Sequence, residues 1–143
     1  MPDPFRRFWL TYYLSKFYFN SYIRESEVCI TLSKFYTRLN EKLQEFVRAQ
    51  KIFFVGTAGN EGRVNLSPKG MDSLRILNDH QVIWLNLTGS GNETAAHLLE
   101  QSRMTLMFCA FEGNPLILRV YGKARAIHPR DVEWEEQITL FPK

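Results

Sequence analysis

Short runs of apolar residues, each closed by a turn signal, are the feature of this sequence that most limits its fold. One hairpin is predicted by the run Ile52–Val55, the turn Gly59–Gly62 and the alternating segment Arg63–Ser67. A second hairpin is predicted by Ser73–Leu77 and Val82–Leu87, with four polar turn residues between them. Two tight hairpins in succession favour an antiparallel sheet, because parallel neighbours need a long crossover connection.

A helix is predicted ahead of the first hairpin. Apolar residues recur at helical spacing from Leu39 to Val47, and this pattern ends near Gln50. Either Asn40 or Thr37 could cap the helix by accepting a hydrogen bond from a free backbone N–H of its first turn.

Two further strands and an acidic helix are predicted in the C-terminal part. The strands cover Met104–Phe111 and Leu116–Ile127, and the helix opens at Pro129 and runs through Ile138. The predicted class is α+β, mainly antiparallel β, with the strands forming a barrel that carries helices. Five or six strands are few for closing a barrel, so we expect an edge strand that is unpaired within the chain. Either a partner subunit covers this edge, or the chain is truncated.

The N-terminal segment is unusually aromatic. Between Phe5 and Tyr22, nine of eighteen residues are aromatic. A signal peptide is disfavoured, because the apolar stretch Phe8–Leu14 is rich in tyrosine, is ended by Lys16 and is followed by no small-residue cleavage site. A helix lying on a membrane surface is an alternative for this composition.

We expect residues 1–31 to be a poorly ordered extension that is atypical of the rest. Regular structure is predicted to begin near Leu32, so that the folded domain covers residues 32–143.

The charge distribution excludes a nucleic-acid-binding surface on the folded part. The net charge of +3 lies within the first 24 residues, which carry four basic side chains and one acidic one. From residue 25 onward, basic and acidic side chains are equal at fourteen each, whereas a nucleic-acid binder carries excess positive charge on its domain. No apolar run approaches the roughly 20 residues that span a bilayer, so no membrane span is expected.

Metal-dependent and hydrolytic sites are not indicated. The two cysteines, Cys29 and Cys109, are too few for a disulfide framework or a Cys-rich metal site, and we expect reduced thiols and a cytoplasmic location. The histidines lack the spacing of zinc ligands, and no nucleophile, base and orienting acid form a triad. His97 is expected to be a hydrogen-bonded residue on a helix face, and Cys109 a buried, inert thiol.

A glycine-containing loop leads into a short helix predicted over Glu93–Gln101. Ser90 and Glu93 have the spacing of a capping box, and Asn92 is an alternative cap. Free backbone N–H groups at such a helix start attract anions, although a capped loop without a ligand is the alternative. No Gly-Lys-Ser/Thr sequence ends the loop, so it is not a P-loop. Further donors and positive charge are available from Thr88, Ser90, Thr94, Lys69 and Arg75.

Five segments in unbroken order, within about Ser33 to Pro142, resemble the pyridoxamine 5′-phosphate oxidase-like family. They are Ile52–Ala58, Asn65–Gly70 (the first signature), Leu87–Leu98 (the second signature), Met107–Glu112 and Ile117–Gly122. The S-P-K-G and G-S-G-N-E-T-A-A-H sequences of the two signatures are most similar to those of uncharacterised family members, and the second signature is quite specific. The resemblance implies a split β-barrel with an N-terminal, an inserted and a C-terminal helix, a homodimer, and FMN in the groove between the subunits.

The resemblance also implies roles for individual residues. The FMN phosphate would be held by Lys69, Ser73 and Arg75 together with Asn92 and Thr94, while Asn86 and Thr88 would lie beside the isoalloxazine ring or the ribityl chain. With the serines of the two signatures, the candidate cofactor-binding residues are Ser67, Lys69, Ser73, Arg75, Asn86, Thr88, Ser90, Asn92 and Thr94.

The predicted function is that of an FMN-binding oxidoreductase whose substrate is open. In such a protein the flavin performs hydride or electron transfer and the polypeptide supplies position and electrostatics. A non-catalytic module that holds flavin, haem or a deazaflavin is one alternative. An inactive relative is another, because family members are expected to continue beyond Leu140–Pro142 into another strand, which makes this chain look truncated.

Overall fold

The computed structural model of the chain describes residues 13–26, 34–86 and 90–142. Eight strands and three helices lie in these ranges. In chain order they are β1 Tyr13–Ser26, β2 Lys34–Tyr36, α1 Glu41–Ala49, β3 Ile52–Ala58, β4 Val64–Gly70, β5 Leu74–Asn78, β6 Gln81–Asn86, α2 Ser90–Glu100, β7 Arg103–Cys109, β8 Ile117–Ile127 and α3 Trp134–Ile138.

The strands form one sheet in the order β4-β3-β7-β8-β1-β6-β5, and β2 pairs with β1 outside this path. Every described pairing is antiparallel. This confirms the predicted α+β, mainly antiparallel class, and the topology is consistent with a fold of the split-barrel type.

Both hairpins predicted from turn signals are confirmed. β3 pairs with β4 from Ile52↔Gly70 to Ala58↔Val64, and β5 pairs with β6 through Leu74↔Trp84. The helix predicted before them is α1, and Asn40 is its cap, because the Asn40 side-chain oxygen accepts a hydrogen bond from the Leu43 N–H at 3.0 Å.

The prediction that regular structure begins near Leu32 is wrong, because Tyr13–Ser26 forms β1. This strand lies between β8 and β6 and pairs with both of them. Aromatic and β-branched residues favour strands, but no local pattern in the sequence tells where such a segment will pair. The aromatic segment therefore supplies a strand that sequence reasoning did not count, and the boundary at residue 31 between extension and domain stays a prediction.

Two helix starts differ from those predicted. α2 begins at Ser90, so both Ser90 and Asn92 lie inside its first turn and neither of the two predicted residues is the cap. α3 begins at Trp134, since the backbone from Pro129 to Glu133 forms turns rather than helix. None of the three helices in the described ranges is long and apolar enough to cross a membrane.

Three aromatic rings occupy the middle of the main core. The Phe53 ring stacks on the Phe108 ring with 5.6 Å between centroids, and it meets the Trp84 ring edge-on at 6.2 Å. β6 is buried on both faces, because Val82 and Trp84 face this core while Ile83 packs with Ile127 and Phe141 in a second cluster. Trp134 and Ile138 of α3 cover that second cluster.

Replacing Ser15 with proline tests the central position of β1. Ser15 pairs with Trp84 of β6 and with Ala126 of β8, and proline is excluded from central strands because it lacks a backbone donor. We expect Ser15→Pro to lower the free energy of unfolding by about 2 kcal/mol or more, measured by denaturant unfolding. Ser15→Ala is the matched control and should change it little; equal stabilities of the two variants would contradict the pairing.

Candidate functional site

The side chains of β4 alternate between buried and exposed, but the buried ones are polar and the exposed ones apolar. Asn65 and Ser67 are buried, whereas Val64 and Leu66 are 76% and 62% exposed. Polar side chains therefore face the inside of the fold and apolar ones face outward, which reverses the usual pattern of a strand over a core.

Helix α2 covers the buried polar side chains of β3 and β4. The Asn65 amide donates a hydrogen bond to the Thr94 hydroxyl at 3.0 Å, and both side chains are buried. The Thr57 hydroxyl and Nδ1 of His97 form a second hydrogen bond at 3.0 Å. These two contacts fix α2 across the sheet, and they confirm the expectation that His97 is a hydrogen-bonded residue of a helix face.

The start of β5 and the end of β6 lie side by side and bring two candidate residues, Ser73 and Asn86, to one end of the sheet. The Leu85 N–H donates to the Ser73 carbonyl at 2.9 Å, so the start of β5 lies beside the end of β6, where the buried Asn86 sits. Lys69 precedes Ser73 by one tight turn. Four residues after Asn86 the chain enters α2 at Ser90.

Buried hydroxyl groups at this end lack hydrogen-bond partners within the described part of the chain. Three such polar groups are buried and have no partner there: Oγ of Ser67, Oγ of Ser73 and the indole N–H of Trp84. A buried polar group without a partner costs about 1–3 kcal/mol, and it points to a water or ligand that completes the bond. Ser67 is 2% exposed and lies on the same face of β4 as Asn65, which is bonded to α2.

Lys69 is the cation at the end of β4. Its amine is half-buried, and this desolvation lowers its pKa, because burial penalises the charged form. An anion bound beside the amine would raise that pKa again and recover the lost solvation of the charge. The assignment of Lys69 to the FMN phosphate stays a prediction.

Arg75 is engaged within the fold. Its guanidinium binds both carboxylate oxygens of Asp72 at 2.8 and 2.9 Å, and its Nε donates to the Leu140 carbonyl at 2.9 Å. It also lies 5.0 Å from the centroid of the Phe141 ring. The assignment of Arg75 to a cofactor stays a prediction.

The remaining candidates differ in accessibility. Asn92 is exposed in the first turn of α2, whereas Thr94 is fully buried and already accepts the hydrogen bond from Asn65. Thr88 and the side chain of Ser90 lie outside the described residues, so their predicted roles are unchanged.

Sequence reasoning did not select Asn65, Thr57 or His97 as residues that build the site. Asn65 lies within the first signature, and the signal that could have found it is the alternation of β4. Side chains two residues apart lie on the same face of a strand, so placing Ser67 toward a ligand also places Asn65 on that side.

Replacing Thr94 tests the polar contact that fixes α2. Thr94→Val removes the acceptor and leaves the buried Asn65 amide without its bond, so we expect the free energy of unfolding to fall by about 1–3 kcal/mol. Thr94→Ser keeps the hydroxyl and should lose less. Chemical denaturation of the two variants measures the difference, and a valine variant as stable as the serine variant would contradict the contact.

Comparison with known proteins matches this sequence to a known family. The sequence model of the family described as pyridoxamine 5′-phosphate oxidase matches residues 39–141. The chain is also similar to the pyridoxamine 5′-phosphate oxidase family protein ustO of Aspergillus flavus, with 38% identity over 105 residues. That alignment covers 71% of this chain and 40% of the relative, and no solved structure was found to match. The chain belongs to the pyridoxamine 5′-phosphate oxidase family.

Proposed function

We propose that this protein binds FMN and acts as an FMN-dependent oxidoreductase on a small-molecule substrate that is still to be found. The observation that supports it best is the buried hydroxyl of Ser67, which has no partner in the described part of the chain and lies two residues before the half-buried amine of Lys69 on the strand that α2 binds through Asn65. Membership of the family makes a flavin the natural ligand for that pair. The cytoplasmic location expected from the cysteine content is retained as part of this proposal.

Each candidate residue has a chemical role in the proposed complex. Lys69 supplies positive charge to the phosphate, and Ser67 donates a hydroxyl hydrogen bond to a phosphate oxygen. The first turn of α2, with Ser90 and Asn92, offers free backbone N–H groups to the same anion. Asn86 and Thr88 would contact the ring or the ribityl chain. FMN, when bound, supplies hydride or electron transfer.

A homodimer is part of the proposal, and the outer face of β3 and β4 supports it. We define the outer face by Phe54, Val64, Leu66 and Met107, which share the side of β3, β4 and β7 that faces away from the core. Val64 and Leu66 are exposed there, while Phe54 and Met107 are half-buried. Contiguous exposed apolar residues mark interaction surfaces.

Cys109, expected to be buried, is only half-buried and lies on the outward side of β7.

Flavin binding without catalysis is a second candidate function. It is favoured by the chemistry of the described candidate residues, which are hydroxyls, amides, one amine and one guanidinium, with no carboxylate or imidazole among them. Adding a nicotinamide donor to the flavin-loaded protein separates the two functions, because bleaching of the flavin absorbance supports a redox role.

Replacing Lys69 tests the phosphate site. We expect Lys69→Met to weaken FMN binding by about tenfold or more, which corresponds to roughly 1.4 kcal/mol for one charge-assisted contact. Quenching of FMN fluorescence during titration measures the dissociation constant. Unchanged affinity would contradict the role of Lys69.

The same titration has a predicted pH dependence. The pKa of the Lys69 amine is lowered, so the amine loses its charge as the pH rises through that value, and FMN affinity should fall across the alkaline range. Lys69→Arg is the matched control, because a guanidinium stays protonated and should flatten the profile. An equal decline in both proteins would assign the effect to another group.

Replacing Leu66 tests the dimer. Leu66→Glu places a charge on the outer face and should shift the protein from dimer to monomer, measured by analytical ultracentrifugation. Val132→Glu adds the same charge at a side chain that is fully exposed elsewhere, and it should leave the dimer intact. A wild-type protein that sediments as a monomer would contradict this part of the proposal.

A further inference from the structure

A recess of about 620 Å³ lies on the sheet where β3, β7 and β8 run side by side. We call it the β7–β8 recess. Gly56, Arg103, Thr105, Tyr121 and Lys123 are among the residues that line it. None of the nine candidate cofactor residues is among its described lining residues.

The recess lies at the opposite end of α2 from the proposed phosphate site. Gln101, which directly follows α2, lines the recess, whereas the phosphate site uses the first turn of the helix at Ser90. A helix of eleven residues is about 16 Å long. A ligand in the recess therefore does not compete with a phosphate at the start of α2.

Two cations stand directly opposite each other in this recess. The register pairs Arg103 of β7 with Lys123 of β8, and both residues are exposed. Like charges at directly opposed positions of a sheet repel each other and destabilise it. Among the described residues that line the recess, none is acidic. A bound anion would remove the repulsion between the two side chains.

Hydroxyl-bearing side chains and an open floor adjoin the two cations. Thr105 and Tyr121 form the next pair on the same face of the two strands, because side chains two residues apart share a face. Gly56 of β3 lies opposite Thr105 and places no side chain over the floor. A recess that combines space, hydroxyl groups and one sign of charge suits a small polar anion.

Hydrogen bonds fix Arg103 without cancelling its charge. Its Nε donates to the side-chain oxygen of Gln101 at 2.8 Å, and the Gln101 amide in turn donates to Oδ1 of Asn60. Because an amide oxygen is neutral, the guanidinium keeps its full charge, and its Nη1 group keeps both donors. Glu100, the acidic residue beside Gln101, accepts from the Asn60 N–H at 2.9 Å and does not line the recess. The amine of Lys123 has no ion pair or hydrogen bond within the described ranges.

The charge of the recess favours a small ligand over a second copy of the chain as its occupant. Val64 lines the recess and also belongs to the outer face, so the two surfaces adjoin. That outer face is apolar and offers no negative charge to Arg103 and Lys123. Burying two cations in an interface without an acidic partner is strongly unfavourable, whereas a dissolved dianion neutralises both.

We propose that the β7–β8 recess binds a small dicarboxylate. One carboxylate pairs with the remaining donors of Arg103, the other pairs with the Lys123 amine, and the Thr105 hydroxyl donates a hydrogen bond. Side chains on directly opposed residues start about 5 Å apart at their Cβ atoms, so two separate negative groups match them. A phosphate carries its charge on one centre and suits the pair less well.

The test titrates the full chain with succinate in low-salt buffer, measured by calorimetry. We expect a dissociation constant below about 1 mM, and at least tenfold weaker binding of butyrate, which has the same chain length and one carboxylate. Lys123→Gln should weaken succinate binding about tenfold, and Thr105→Val, which keeps the shape and removes the hydroxyl, several-fold. Lys42→Gln removes the same charge from an exposed position of α1 outside the recess, and as the control it should bind succinate like the wild type.

Equal affinities for succinate and butyrate, an unchanged affinity of Lys123→Gln, or tighter binding of inorganic phosphate than of succinate would overturn the proposal. Saturating FMN should leave succinate binding unchanged, and competition between them would overturn the separation of the two sites. A changed sedimentation of Lys123→Gln with unchanged succinate affinity would assign the cations to a subunit interface instead. Succinate binding by a chain that takes up no FMN would support the recess and contradict the proposed function.

Discussion

The inward orientation of the polar side chains of β4 is the constraint on which the candidate site depends. Asn65 could not be buried without a partner, and Thr94 of α2 supplies it, so the strand and the helix are fixed to each other. Ser67 faces the same side as Asn65 but has no such partner in the described chain, which leaves a donor beneath the helix. The same alternation turns Val64 and Leu66 outward, so a single strand orients both the proposed phosphate site and the proposed dimer surface.

The rest of the fold holds this strand in place. The stacked rings of Phe53 and Phe108 join β3 to β7, and β3 pairs with β4 along the whole length of both strands. β1 completes the sheet between β8 and β6, and α3 closes the second cluster behind β6.

The hairpins, α1 and its Asn40 cap could be predicted because turn residues and helical spacing are local signals. β1 could not, since its pairing with two distant strands leaves no trace in its own sequence. The phosphate candidates were proposed from their residue types, whereas the structure adds the burial and the contacts of each side chain. The Lys69 amine is half-buried, and the Arg75 guanidinium is bound by Asp72. The resemblance to the family was confirmed, while its individual residue roles stay predictions.

A crystal structure of the FMN-loaded protein tests the central claim most directly. The account predicts that the phosphate lies within hydrogen-bond distance of the Lys69 amine and the Ser67 hydroxyl, beside the first turn of α2. A phosphate bound at a place remote from Lys69 and Ser67 would contradict it.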